Sequence, residues 1–138
     1  MGLMLDSTVL IDVERSGKNL DSLIDATIDR FGDMNLAFSV MSVGELLHGM
    51  WRANKEDRRA RRERFIEEAI RRLEVVEITL PVMRVFGRVE AELREAGTLI
   101  ATPDMLIGCS ALYRSDEVLT RNMRDFERIP GLAVHEWD

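Results

Sequence analysis

The stretch Leu3-Met4-Leu5-Asp6-Ser7-Thr8-Val9-Leu10-Ile11 decides how the chain is read. Leu3 to Leu5 is a short apolar run that stops at a polar residue, the pattern of a buried strand. Asp6, Ser7 and Thr8 follow, and from Val9 the apolar spacing suits a helix. Asp6 therefore falls where a strand ends and a helix begins. In open sheets with helices on both faces, ligands bind at that edge. Taken alone, Asp6 reads first as a helix cap, because Asp, Ser and Thr are favoured N-caps and a carboxylate there suits the helix dipole. The two readings separate on whether other acids reach the same edge.

Outward from Asp6 the chain alternates strands and helices. Ser7 to Glu14 is helical and ends near Ser16-Gly17. Leu20, Leu23, Ile24, Thr27, Ile28 and Phe31 keep helical spacing until Gly32-Asp33. Asn35 to Val40 reads as a second strand. Two helices follow, from Ser42 to about Ala53 and from Glu56 to Leu73, then a short strand from Val75 to Ile78. Pro81 suits a first helical turn, and that helix runs to Gly97. Thr102-Pro103 opens another, to about Tyr113. Glu117 to Thr120 is a strand, a turn passes through Asp125-Phe126, and Leu132 to His135 is the last strand. This order predicts an α/β fold, a mainly parallel sheet with helices on both faces, as one domain over residues 1–138.

The chain has 138 residues, of which 46% are hydrophobic and 32% charged, enough to bury one core. No apolar run approaches the roughly 18 residues of a membrane span. No basic stretch followed by an apolar core opens the chain, and Cys109 is the single cysteine, which excludes an internal disulfide and a Cys-rich zinc site. A cytoplasmic setting is the expectation. Net charge is −6 but uneven: Trp51 to Arg72 holds nine basic and five acidic residues, the remainder ten and twenty. Such a segment can present phosphate-binding charge, or can be a solvated helix face laced with ion pairs. All but Lys55 of its basic residues are arginines, which suit bidentate phosphate contacts.

Other acids recur beside the strand ends. Glu45 follows the second strand in Ser42-Val43-Gly44-Glu45, where Ser-x-x-Glu also reads as a capping box. Asp104 lies in Thr102-Pro103-Asp104, with Thr as cap and Pro at the first helical position. Asn122 and Asp125 leave the strand that ends at Thr120. Capping does not require acids to recur where Ser, Thr or Asn would serve, so the joint pattern points to one acidic pocket. Without His or Cys, such a pocket selects a hard cation, because clustered carboxylates cannot all stay ionised unneutralised. Mg²⁺ or Mn²⁺ takes one or two carboxylates, keeps waters and accepts phosphate oxygens. Asp6 and Asp104 are the expected direct ligands and Glu45 a ligand or orienter of the attacking water. Asn122 or Asp125 completes the pocket, and Thr8 or Thr120 positions a water or phosphate. The chemistry is metal-assisted hydrolysis of a phosphodiester.

At these residues the chain resembles PIN-domain ribonucleases, specifically the VapC-type toxins of bacterial toxin–antitoxin pairs. The matching pieces are Met4-Leu5-Asp6-Ser7-Thr8, Ser42-Val43-Gly44-Glu45-Leu46 with His48-Gly49, Pro103-Asp104-Met105-Leu106-Ile107, and Thr120-Arg121-Asn122-Met123-Arg124-Asp125-Phe126, in order along the whole chain. The resemblance implies a three-layer α/β/α fold, a homodimer, bound Mg²⁺ or Mn²⁺, an RNA substrate such as transfer or ribosomal RNA, and inhibition by a cognate antitoxin. Asp6, Glu45 and Asp104 match the family's three most regular acids. A fourth acid is common where this chain has Asn122, with Asp125 one turn further on.

Two other readings stay open. A phospho-signalling domain also places acids at strand ends, but wants a lysine near the phosphoryl group. The two lysines here, Lys18 and Lys55, lie in a turn and in the basic segment. A non-catalytic interaction module would use the same acids as caps. His48 and His135 are expected at the surface or in packing, Cys109 in the core, and Trp51 buried against its own core.

Overall fold

The computed structural model describes residues 2–138 and sets β1 (Gly2–Leu5) in the middle of a five-stranded sheet. β2 (Asn35–Ser39) and β4 (Glu117–Thr120) flank it. β3 (Glu74–Val76) and β5 (Val134–Glu136) are the edges, so the order is β3-β2-β1-β4-β5. Every neighbouring pair is parallel, with Leu3 opposite Leu36 on one side and Met4 opposite Val118 on the other.

Parallel neighbours require crossover connections, and helices supply them. α1 (Ser7–Arg15) and α2 (Leu20–Phe31) lead from β1 to β2, and α3 (Val40–Trp51) and α4 (Glu56–Arg72) lead from β2 to β3. α5 (Leu80–Ala96) and α6 (Thr102–Arg114) return the chain to β4, and the single turn α7 (Met123–Phe126) precedes β5. Side chains alternate along a strand, so all four residues of β1 are buried, but against different helices. Leu3 and Leu5 join Val9, Leu10, Leu23, Phe38, Leu46 and Ile66 in one core. Met4 joins Ala37, Val89, Leu93, Met105 and Ile107 in the other. The result is the expected three-layer α/β/α fold, with a sheet that is parallel throughout. Among the described residues no helix is long and apolar enough to cross a membrane.

This topology fixes where a site can form. From β1 the chain steps to β2 on one side and later returns to β4 on the other. Crossovers diverge there, leaving a crevice at the C-terminal ends of β1 and β4. Gly108 lets α6 pack closely on the segment after α7: a Cβ at that position would run into Ile129 Cδ1.

Several expected boundaries move. α3 begins at Val40, not Ser42, because Ser39 ends β2 and caps the helix at once, its hydroxyl accepting from Met41 N at 3.0 Å. The capping-box reading of Ser42 and Glu45 is thereby overturned. The cap of α6 is Ala101, so Thr102 and Pro103 are already helical. β3 stops at Val76, before Ile78, and β5 starts at Val134 and runs to Glu136. Trp51 is not buried. As the last residue of α3 it is 64% exposed, with the Arg59 guanidinium 5.2 Å from its ring centroid.

Candidate functional site

Asp6 caps α1 in backbone conformation only. Its φ and ψ of −74° and 153° are those of an N-cap, but its carboxylate makes no capping hydrogen bond. It is 1% exposed and receives side-chain hydroxyls instead. Thr8 Oγ1 and Thr120 Oγ1 donate to Asp6 Oδ2 at 2.7 and 2.8 Å, and Ser7 Oγ lies 3.3 Å from Asp6 Oδ1. The main chain anchors the same residue, with Asp6 N donating to Leu119 O at 3.0 Å. Burial of a carboxylate is tolerated only with such partners.

Ser7 extends the site. Its hydroxyl also reaches Glu45 Oε1 at 2.8 Å, so one short side chain stands between the acid after β1 and the acid of α3. With one proton to give, it serves one carboxylate fully at a time, and the shorter distance favours Glu45. Ser7 reads in the sequence as a capping hydroxyl, and only its adjacency to Asp6 hinted at more.

The far side is built from α6, β4 and α7. Asn122 N donates to Thr120 Oγ1 at 2.8 Å, and Asn122 Nδ2 donates to Asp104 Oδ2 and to Asp125 Oδ2, each at 3.0 Å. Glu45, Ser7, Asp6, Thr8, Thr120, Asn122, Asp104 and Asp125 thus form one connected network. Asn122 and Asp125 both belong to it. Thr8 and Thr120 direct their hydroxyl protons at Asp6, so their present work is to hold that carboxylate.

The electrostatics are one-sided. Asp104 is pushed up from 3.8 to about 6, mostly by burial, then by Asp6, Asp125 and Glu45, against a lowering from Asn122. Glu45 is also raised, by burial first and by Asp6, while Ser7 lowers it. Among the described residues no Lys, Arg or His forms an ion pair with Asp6, Glu45, Asp104 or Asp125. Four acids converge, and among the described residues no cationic side chain pairs with them.

The donor set suits a hard divalent cation, being all oxygen. Among the described residues no three His, Cys, Asp or Glu side chains are drawn tightly enough to enclose an ion unaided. Mg²⁺ does not ask for that, since it is held through one or two carboxylates and fills its sphere with water and substrate oxygens.

His48 is exposed, and His135 packs edge-on against Phe31 and pairs with Glu117, so neither joins the site. Cys109 is buried. In the basic segment, Arg59 donates to Trp51 O and Ala53 O, and Arg62 to Gly49 O, which commits both to holding the α3–α4 corner.

The chain is similar to known proteins over a stretch that includes these residues. A family model described as PIN domain matches residues 3–132. Ribonuclease VapC1 of Rickettsia felis is 29% identical over 134 residues, covering 97% of this chain and 95% of the relative. The tRNA(fMet)-specific endonuclease VapC of Salmonella typhimurium is 33% identical over 102 residues, 74% of this chain and 75% of the relative. The solved DNA-bound VapBC from Salmonella typhimurium superposes with a TM-score of 0.84 at 26% identity, covering 100% of this chain and 99% of that one. The chain therefore belongs to the PIN-domain family, as a VapC-type member.

Proposed function

We propose that this protein is a Mg²⁺- or Mn²⁺-dependent endoribonuclease, the toxin of a type II toxin–antitoxin pair. It hydrolyses phosphodiester bonds of transfer or ribosomal RNA in the cytoplasm, works as a homodimer and is inhibited by a cognate antitoxin. The observation that carries this reading is the convergence of Asp6, Glu45, Asp104 and Asp125 at the sheet's switch point, with no compensating cationic side chain among the described residues. The ribonuclease names of its relatives and the VapBC complex it resembles point the same way.

Asp6 and Asp104 would hold the metal, which when bound lowers the pKa of a coordinated water and offsets charge growing at phosphorus. The chain supplies the rest. Thr8 and Thr120 fix Oδ2 of Asp6 before substrate arrives, which holds the carboxylate in place. Glu45, whose proton affinity burial has raised, is suited to take a proton from the attacking water. The Asn122 amide orients Asp104 and Asp125 toward the same crevice.

The test is cleavage of an end-labelled transfer RNA by the purified chain with Mg²⁺, with chelator, and by Asp6→Asn and Asp104→Asn. Cleavage should need the metal and fall about a hundredfold or more in either variant. Metal-independent cleavage, or undiminished cleavage by both variants, overturns the reading. Phosphoryl incorporation from a small donor would favour the signalling alternative.

A further inference from the structure

Two grooves meet at Arg15. One, of about 410 Å³, is lined by Arg15, Glu45, His48, Gly49, Arg52 and Arg62. The other, of similar size, is lined by Thr8, Ile11, Asp12, Arg15 and Arg121. Glu45 joins the first to the acidic site, and Thr8, which donates to Asp6, joins the second.

Most cations along these grooves are already engaged. Arg62 lies 3.4 Å from Glu14 and donates to Gly49 O, and Arg121 lies 2.7 Å from Asp12. Arg15 and Arg52 differ. Both are exposed, and among the described residues neither makes a side-chain hydrogen bond or an ion pair. A cation in the last turn of α1, or at the end of α3, suits the helix dipole, and that is worth only about 0.3–1 kcal/mol. The dipole does not explain why both helices deliver their free guanidinium to one groove that begins at Glu45.

The order of charge along this groove is informative. Acids able to hold a cation come first, and unpaired guanidiniums follow. Arg52 stands seven residues after Glu45, about 10 Å further along α3 at 1.5 Å per residue. A polymer with one negative charge per unit fits that order: one phosphate at the metal, its neighbours on arginine. An acidic peptide would meet Glu45 and Asp6 with nothing to bridge the repulsion. None of the exposed arginines of α4, which are Arg58, Arg61, Arg64, Arg71 and Arg72, lines either groove.

We infer that Arg15 and Arg52 are substrate-positioning residues that take backbone phosphates of single-stranded RNA beside the scissile one. This rests on the nuclease reading above; within the basic segment Trp51 to Arg72 it picks out Arg52, and it adds Arg15 at the end of α1. Guanidinium forks match phosphate oxygens bidentately.

The experiment measures kcat, KM and the salt dependence of KM on the same end-labelled transfer RNA for the full chain with Mg²⁺. It compares Arg15→Ala, Arg52→Ala and, as a charge-matched control, Arg61→Ala. KM should rise about tenfold in each of the first two, the size of one charge-assisted contact, with kcat within about twofold. The slope of log KM against log salt should shrink by about 0.7 per lost contact. Arg15→Lys should keep most of the slope, because the charge remains. If wild type cleaves while Arg15→Ala and Arg52→Ala match Arg61→Ala, the inference fails and the nuclease reading stands. If they weaken only inhibition by the antitoxin, the surface serves the protein partner and the inference is overturned. If wild type does not cleave at all, the nuclease reading fails first.

Discussion

The side-chain amide of Asn122 donates to Asp104 Oδ2 at 3.0 Å, and its second donor reaches Asp125 at the same distance. A neutral amide thus sits between two acids, where it satisfies both without adding charge. Asn122→Asp would remove both donors and add a third carboxylate. The metal-free protein should melt lower at pH 7, because the repulsion already raising Asp104 grows. Saturating Mg²⁺ should stabilise that variant more than wild type, since ligand charge adds to the affinity. Thermal melts with and without Mg²⁺ read both effects, and equal Mg²⁺ shifts in the two proteins would contradict this account of Asn122.

Ser7 makes the corresponding link on the other side, at 2.8 Å from Glu45. Its hydrogen bond lowers the Glu45 carboxyl, against burial and Asp6. Ser7→Ala removes that lowering, so Glu45 should ionise at higher pH, and the acid limb of the pH–rate profile should move up. Loss of one hydrogen bond to a charged group costs about 1.5–3 kcal/mol, which predicts a drop in kcat of about tenfold or more if the bond matters in the transition state. An unshifted acid limb would show that Glu45 does not set it.

The acids were legible in the sequence because strand ends are visible in apolar runs: Asp6, Asp104 and Asp125 each follow one or open a helix, and Glu45 lies in the helix that leaves β2. The junctions were not. Ser39 and Ser42 are equally good caps on paper, and the choice turns on β2 passing into α3 with no loop between them. That choice decides whether Glu45 folds back on its own helix or faces the site. Trp51 belongs to an apolar stripe, but the stripe does not reveal that the helix ends there, past the edge of the core. The role of Ser7 was hidden because its partner Glu45 is 38 residues away.

Asp104 predicts a pH dependence that a variant isolates. Its carboxyl is raised from 3.8 to about 6, chiefly by burial. The folded state therefore holds a proton there that the unfolded chain has released, and stability contributed by this group falls as pH rises from about 4 through 6. Asp104→Asn cannot ionise and escapes that loss. Without metal, the two proteins should melt alike near pH 4, the variant should gain between pH 4 and 6, and its lead should stay constant above. Added Mg²⁺ at pH 7 should close the gap by stabilising wild type alone. A gap that is the same at every pH would mean the substitution acts through packing.

Arg62 marks the difference between charge that holds the fold and charge that faces solvent. Its Nε lies 3.4 Å from Glu14, whose side chain is only 9% exposed, and its Nη1 donates to Gly49 O at 2.9 Å. Glu14 Oε1 has no hydrogen bond of its own, so Arg62 is the group that offsets its charge. Arg62→Ala leaves a nearly buried carboxylate uncompensated and should cost about 3 kcal/mol in urea unfolding. Arg61→Ala, one residue away and exposed, should stay within about 0.5 kcal/mol of wild type. Adding Glu14→Gln to Arg62→Ala should recover part of the loss, because the orphaned charge is gone. If the double variant is no more stable than Arg62→Ala, the cost lies in the lost contact to Gly49 and not in the charge of Glu14.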